Sequence, residues 1–271
     1  MKWHPLSLSD KSLIEDAFNQ DPFPLSDYTF TNLWMWNGLR NYQIALIDEW
    51  LCIKFNENGR EMLLYPLGKG NRTSLIEKLR PFSMRAIPEN NQLPFLLTPE
   101  PSHFDYIYNY HDLVYLPGNK YQPKRNLIHQ FKNNYDFTYR EIDSTLIPFL
   151  YKMENKLFRE HQTVKKEHQA LLRLLESFDQ LKTLGGALLV KDEIVAFSFA
   201  EYLTKEMIVI HVERANKLFK GAYQMIHQQF LKHLTSVPYV NREEDLGFEN
   251  LAQTKRSYHP IRLEKKFTLA L

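Results

Sequence analysis

HVERANKLFKGAYQMIHQQF, residues 211–230, changes its periodicity in mid-run. The run EMIVIHVE (206–213) reads as a strand ending at Glu213, a polar loop follows, and from Gly221 the apolar residues Tyr223, Ile226 and Phe230 recur at helical spacing. Strand, loop and helix in that order belong to an α/β fold, and the ends of such strands are where ligands gather. A glycine at the helix start allows close approach to unpaired backbone N–H groups, which together with the helix dipole favour an anion such as pyrophosphate or a carboxylate. The same residues also describe an ordinary helix start.

Outward from this segment, the C-terminal half reads as strand 137–142, helices 144–159 and 164–180, strands 186–190 and 194–202, then the quoted segment with helix 221–234. Strand 237–240, helix 248–257 and a final strand 261–269 complete it. Before it come a short amphipathic helix at 11–19, an aromatic helix within 27–39, and strands Gln43 to Ile47, Trp50 to Phe55 and Glu61 to Pro66. Asn58-Gly59 is a hairpin signal between the last two. A helix from Arg72 to Leu79 and weaker strands at Met84 to Ile87 and Asp105 to Tyr108 follow. Pro117-Gly118 interrupts the pattern, which restarts after it, so the expected units are 1–119 and 120–271.

The 271 residues are 44% hydrophobic and 14% aromatic, ample material for a core. Thirty-four Lys and Arg against 32 Asp and Glu leave a formal charge of +2, which excludes a global pull toward nucleic acid or membrane. Cys52 is the single cysteine; it excludes an internal disulfide and a multi-cysteine zinc site and suits a reducing compartment, so the cytoplasm is expected. Within WLCIKF it reads as a small buried hydrophobe. No apolar run is long enough to span a membrane, and MKWHPLSLSDKSLIED lacks the features of a signal peptide. No metal site is expected: no HExxH occurs, and Glu160-His161 and Glu167-His168 read as surface residues. Walker, dinucleotide and GxSxG motifs are absent too.

Two further stretches can carry chemistry. In KYQPKRN (120–126), Lys120, Lys124 and Arg125 can hold phosphates through charge-assisted bonds; a solvated basic turn is the alternative. In YVNREEDLG (239–247), Glu243, Glu244 and Asp245 form a like-charge cluster in which one carboxylate can act as a general base. Asp245 reads equally as a helix cap. Lys255, Arg256, Tyr258 and His259 follow ten or more residues later and can return to the same cleft.

The element order of the C-terminal half, β-α-α-β-β-β-α-β-α-β, resembles the GCN5-related N-acetyltransferase fold. That family's acetyl-CoA signature is not met in full, since Leu218 holds its first position and Gly221 and Tyr223 the other two. SDYTFTNLWMW (26–36), KRNLIHQF (124–131), ERANKLFKGAYQMI (213–226), NREEDLG (241–247) and LAQTKRSYHPIRLEKKF (251–267) together resemble the C-terminal domain of phosphatidylglycerol lysyltransferases and its free-standing bacterial relatives. The resemblance implies an α/β (α+β) fold of two tandem GCN5-related acyltransferase-like domains, mixed sheets flanked by helices, as in the peptidoglycan-bridge aminoacyltransferases. Membrane members of the family move lysine or alanine from aminoacyl-tRNA to the hydroxyl of phosphatidylglycerol, in a tunnel between the domains. Their multi-helix membrane portion has no counterpart in these residues, which makes acyl or aminoacyl transfer more expected than lipid as the substrate.

Carried over residue by residue, the resemblance implies that Lys124, Arg125 and Asn126 meet a phosphate or the tRNA acceptor end, with Lys120 beside them. Asn241, Arg242, Glu244 and Asp245 would line the acceptor site, with Lys255 and Tyr258. The expected roles are Asp245 or Glu244 as base, Arg242 as oxyanion partner, Glu213 orienting an incoming amine, and the backbone around Gly221, with Tyr223, on the donor. The donor is then aminoacyl-tRNA or, as the alternative, acyl-CoA; the acceptor is a small molecule, a peptide or a lipid headgroup. A non-catalytic binding module that kept the fold is the third reading.

Overall fold

Asn58 and Gly59 take φ of +52° and +82°, the left-handed backbone that a two-residue turn between antiparallel strands demands. The hairpin forms as the sequence predicts. The structure is a computed structural model describing residues 2–270. In chain order its first elements are β1 (His4–Pro5), α1 (Lys11–Gln20), α2 (Phe30–Arg40), β2 (Gln43–Ile47), β3 (Trp50–Glu57), β4 (Arg60–Leu64), α3 (Arg72–Lys78), β5 (Ser83–Pro88), β6 (Thr98–Pro99), β7 (Asp105–Asn109) and α4 (Tyr110–Tyr115). Then come α5 (Gln122–Asn134), β8 (Phe137–Glu141), α6 (Ile147–Arg159), α7 (Lys165–Glu176), α8 (Phe178–Leu181), β9 (Leu184–Val190), β10 (Glu193–Thr204) and β11 (Met207–Ala215). The last are α9 (Ala222–His233), β12 (Tyr239–Asn241), α10 (Glu249–Arg256), β13 (Arg262–Glu264) and β14 (Lys266–Leu269).

The aromatic stretch is a packed helix. Thr29 caps α2 by accepting the Asn32 amide at 3.1 Å, and Phe30, Leu33 and Trp34 are buried along one side of it. Cys52 is buried in β3, as its apolar neighbours suggest.

Two mixed sheets organise the chain, in the orders β1-β2-β3-β4-β5-β14-β6 and β13-β7-β12-β11-β10-β9-β8. Their strands do not part at Pro117-Gly118: β7 precedes that break yet joins the second sheet, and β14 returns from the C-terminus to the first. The final strand expected at 261–269 is therefore two strands. β13 pairs with β7 and β14 with β5, so the chain crosses between sheets at Lys265.

Helix α9 lies on the second sheet, and α5 lies against α9. Gly221 sits at this contact with φ +88°, and a Cβ there would fall 2.2 Å from the Leu127 carbonyl oxygen of α5. The glycine is thus required for helix packing, since the side of its Cα that a Cβ would occupy is taken by α5. Gly221→Ala combines a left-handed backbone with overpacking, so a loss on the order of 3 kcal/mol is expected in urea unfolding. A loss below about 0.5 kcal/mol, the range of neutral surface changes, would show that α5 is free to withdraw.

Candidate active site

Strands β11 and β12 pair in parallel only over Met207–Val209 and Tyr239–Asn241. Beyond that, β11 continues beside β10, whereas the backbone at Arg242 and Glu243 stays hydrogen-bonded to Tyr106 of β7. The ladder therefore opens into a split, and side chains bridge it. A bulge decides where they point: Val212 pairs with Phe199 and Ile210 with Ala200, which leaves His211 as the extra residue. In a regular strand His211 and Glu213 would share a face. Here the bulge sends Glu213 toward α9 and His211 toward Glu201, whose carboxylate also meets Thr29 and Thr31 at the start of α2.

On the α9 side, Glu213 accepts from His227 Nδ1 at 2.6 Å and from Arg242 Nη2 at 2.5 Å. Burial opposes its charge, yet Arg242 and His227 outweigh it and hold the carboxyl at about 2. Arg242 lies 4.7 Å over the Tyr258 ring; Lys124 Nζ lies 4.3 Å from the same ring and donates to Ser257 Oγ at 2.7 Å. Burial and the neighbouring Arg242 lower the Lys124 pKa. Two buried atoms of this group, Arg242 Nη1 and His227 Nε2, have no hydrogen-bond partner among the described residues. Around Glu213 the site thus holds a cationic donor and an imidazole nitrogen that are both unused among the described residues.

On the opposite side, His211 stands between Glu201 (2.7 Å) and Glu243 (2.8 Å) with only 1% of its side chain exposed. Burial works against the imidazolium, but the two carboxylates prevail and raise its pKa to about 10. The buried Lys266 ammonium meets Asp27 at 2.6 Å, Asp105 at 2.8 Å and Glu244 at 3.4 Å. Burial lifts Asp105 to about 7 despite Lys266.

Of the residues expected at the site, Lys124, Glu213, Arg242 and Tyr258 come together. The others are engaged by the fold. Asp245 accepts from Tyr106 Oη at 2.6 Å and from the Gly247 amide at 2.8 Å, closing the turn before α10 instead of standing free as a base. Glu244 is neutralised by Lys266. Asn241 is fully buried, donating to Asp105 and the Pro24 carbonyl and accepting the Glu243 amide. Lys255 is buried beneath the split, its Nζ donating to the carbonyls of Arg242 and Glu243, and burial lowers its pKa to about 8. Arg125 closes its own helix start through the Leu116 and Gly118 carbonyls and Gln122, so its fork is not presented to a phosphate. Asn126 bonds Gln122 at 2.7 Å; Lys120 is exposed, 3.5 Å from Asp112; Tyr223 is held at the backbone of Ala215. His168, expected at the surface, is buried against Phe158 with Nδ1 3.0 Å from Glu154.

His227 is the site residue that sequence reasoning passed over. Its signal was its place four residues after Tyr223, on the helical face turned to β11. A polar residue in that apolar stripe needs a buried partner.

The family described as "Phosphatidylglycerol lysyltransferase, C-terminal" matches residues 22–270. The chain belongs to this family. Among solved structures, this phosphatidylglycerol lysyltransferase C-terminal-family chain is similar to a conserved protein of unknown function from Bacteroides thetaiotaomicron. The two share 32% identity and a TM-score of 0.91, over 99% of this chain and 98% of the other. It also resembles the C-terminal domain of a protein assigned as a lysylphosphatidylglycerol synthetase from Agrobacterium fabrum (13%, TM-score 0.67, coverage 97% and 92%). A tandem GCN5-related acyltransferase from the clavulanic acid pathway shares the architecture at 8% identity (TM-score 0.50, coverage 99% and 98%). No curated protein matches the chain. Family and fold are those of the acyltransferases, with two mixed sheets flanked by helices. No helix among the described residues is long and apolar enough to cross a membrane.

The His211 clamp has a signature in pH. Its folded pKa of about 10 lies above the unfolded value of ~6.5, so its stabilisation is complete below pH ~6.5 and is lost as pH rises toward 10. Lys255, shifted downward, works in the opposite sense above about 8, so the difference between wild type and His211→Gln isolates the clamp. That difference in unfolding free energy should shrink by up to about 1.4 kcal/mol per pH unit between pH ~7 and ~10. A pH-independent difference would mean that His211 is not charged in the folded protein.

Proposed function

We propose that this chain is an acyltransferase that moves an aminoacyl group from an aminoacyl-tRNA to an amine or hydroxyl acceptor, at the split between β11 and β12. The observation that carries the reading is the buried Arg242. One of its nitrogens is held by Glu213, and Nη1 is left without a partner among the described residues at the strand end. A donor fixed in that way is suited to the oxyanion that forms when an ester carbonyl is attacked, and such preorganised donors supply a large share of acyl-transfer catalysis. The remainder is positioning. Lys124 has no carboxylate partner among the described residues and lies by the Tyr258 ring, which supports a role for it toward a phosphate of the donor. Membership of a lysyltransferase family supports an aminoacyl donor. An acyl-CoA donor is less well supported, because the acetyl-CoA signature is incomplete, with Leu218 in its first position and Tyr223 in its last.

Labelled lysyl-tRNA, alanyl-tRNA and acetyl-CoA are each offered to the full chain with phosphatidylglycerol vesicles, small amines or peptides as acceptors. Transfer from an aminoacyl-tRNA alone is the expected result. Transfer from acetyl-CoA alone would reassign the donor, and inertness toward all of them would leave the binding-module reading. In an active pair, Arg242→Gln should lower kcat by roughly 10²–10³-fold with little change in KM. Lys124→Ala should weaken donor binding and reduce the slope of log affinity against log salt by about one.

A further inference from the structure

His227 and His211 are both buried histidines beside carboxylates, yet their surroundings assign them opposite charges. His211 has a carboxylate at each nitrogen. His227 has one, Glu213, and faces two cations, Arg242 from the segment after β12 and Lys124 from α5, with the Tyr258 ring 5.1 Å away. Burial holds its pKa below the ordinary value, and Arg242 and Lys124 add to this against the pull of Glu213. The neutral ring also has a fixed tautomer. An ionised Glu213 only accepts, so the proton sits on Nδ1, and the lone pair of Nε2 is left bare. Nε2 is buried and has no partner among the described residues.

We propose that His227 is the general base of the transfer reaction, its Nε2 taking the proton from the acceptor hydroxyl or amine as that atom attacks the acyl carbon. The proposal rests on the acyl-transfer reading above. The new bond joins the acceptor oxygen or nitrogen to the carbonyl carbon while the carbonyl electron pair moves onto oxygen, facing Arg242 Nη1. The acceptor proton passes to Nε2. Collapse of the tetrahedral intermediate breaks the bond to the ribose oxygen of the donor, and the proton on Nε2 goes to that leaving oxygen, which returns His227 to its starting state. Glu213 holds the ring and balances the imidazolium formed in passing, the orienting role of a carboxylate in a nucleophile–base–carboxylate relay. Of the carboxylates expected as the base, Asp245 and Glu244 are committed to Tyr106 and Lys266.

His227→Asn retains an amide donor toward Glu213 but has no base, and its thermal unfolding is expected to stay near that of wild type. With whichever aminoacyl-tRNA and acceptor support turnover, kcat should fall roughly 10²–10⁴-fold while KM changes little. The wild-type rise of kcat/KM with pH, placed below the usual histidine value, should vanish in the variant. Histidine-selective ¹⁵N NMR of the free protein provides a second readout: His227 should be neutral at pH 7 and protonated at Nδ1. An active wild type with an equally active His227→Asn, or an Nε2-protonated or imidazolium ring at pH 7, overturns the assignment while leaving acyl transfer standing. An inert wild type removes the transfer reading and this role with it. Should His227→Asn unfold, His227→Gln with the same NMR and pH profile takes its place.

Discussion

A carboxylate taken out of water must meet positive charge or give up its own, at a cost of several kcal/mol if it does neither. That constraint shapes the region where β11 and β12 part. Glu213 remains ionised because Arg242 and His227 divide its two oxygens between them. Arg242 can only reach it because the backbone after β12 stays with β7 while β11 turns away. The opening of the ladder and the pairing of charges across it are thus one arrangement.

The same rule operates on both sides of the split, with different results. His211, between Glu201 and Glu243, is a cation that closes one face. His227, beside one carboxylate and two cations, is pushed toward the neutral ring, and its Nε2 has no hydrogen-bond partner among the described residues. A single extra residue in β11 separates the two, since without the bulge at 211 the side chains of His211 and Glu213 would compete for one face. Lys255 then fixes the backbone of Arg242 and Glu243 from below, and Lys266 gathers Asp27, Asp105 and Glu244 where the chain crosses from one sheet to the other. Much of the charge density in NREED is therefore used to hold the loop, and one residue of it, Arg242, is turned to the site.

The sequence by itself determined most of the longer elements and their order; the short β1, β6, α4 and α8 carry too few residues for a periodic signal. Asn58-Gly59 dictates its hairpin through local backbone preference, the aromatic 30–40 stretch dictates a packed helix through its period, and the strand–loop–helix at 211–230 is written in consecutive residues. Lys124, Glu213, Arg242 and Tyr258, which the structure brings together, were legible as site candidates, Lys124 from its basic segment and Glu213 and Arg242 from the family resemblance of their motifs. Tertiary structure alone decided that the last strand is two strands in different sheets, that Asp245 and Glu244 meet Tyr106 and Lys266, and that His227 Nε2 has no partner among the described residues. The reason is physical: propensity and period are properties of neighbouring residues, whereas protonation and partner choice depend on burial and on polar and charged partners brought from 14 to 240 positions away.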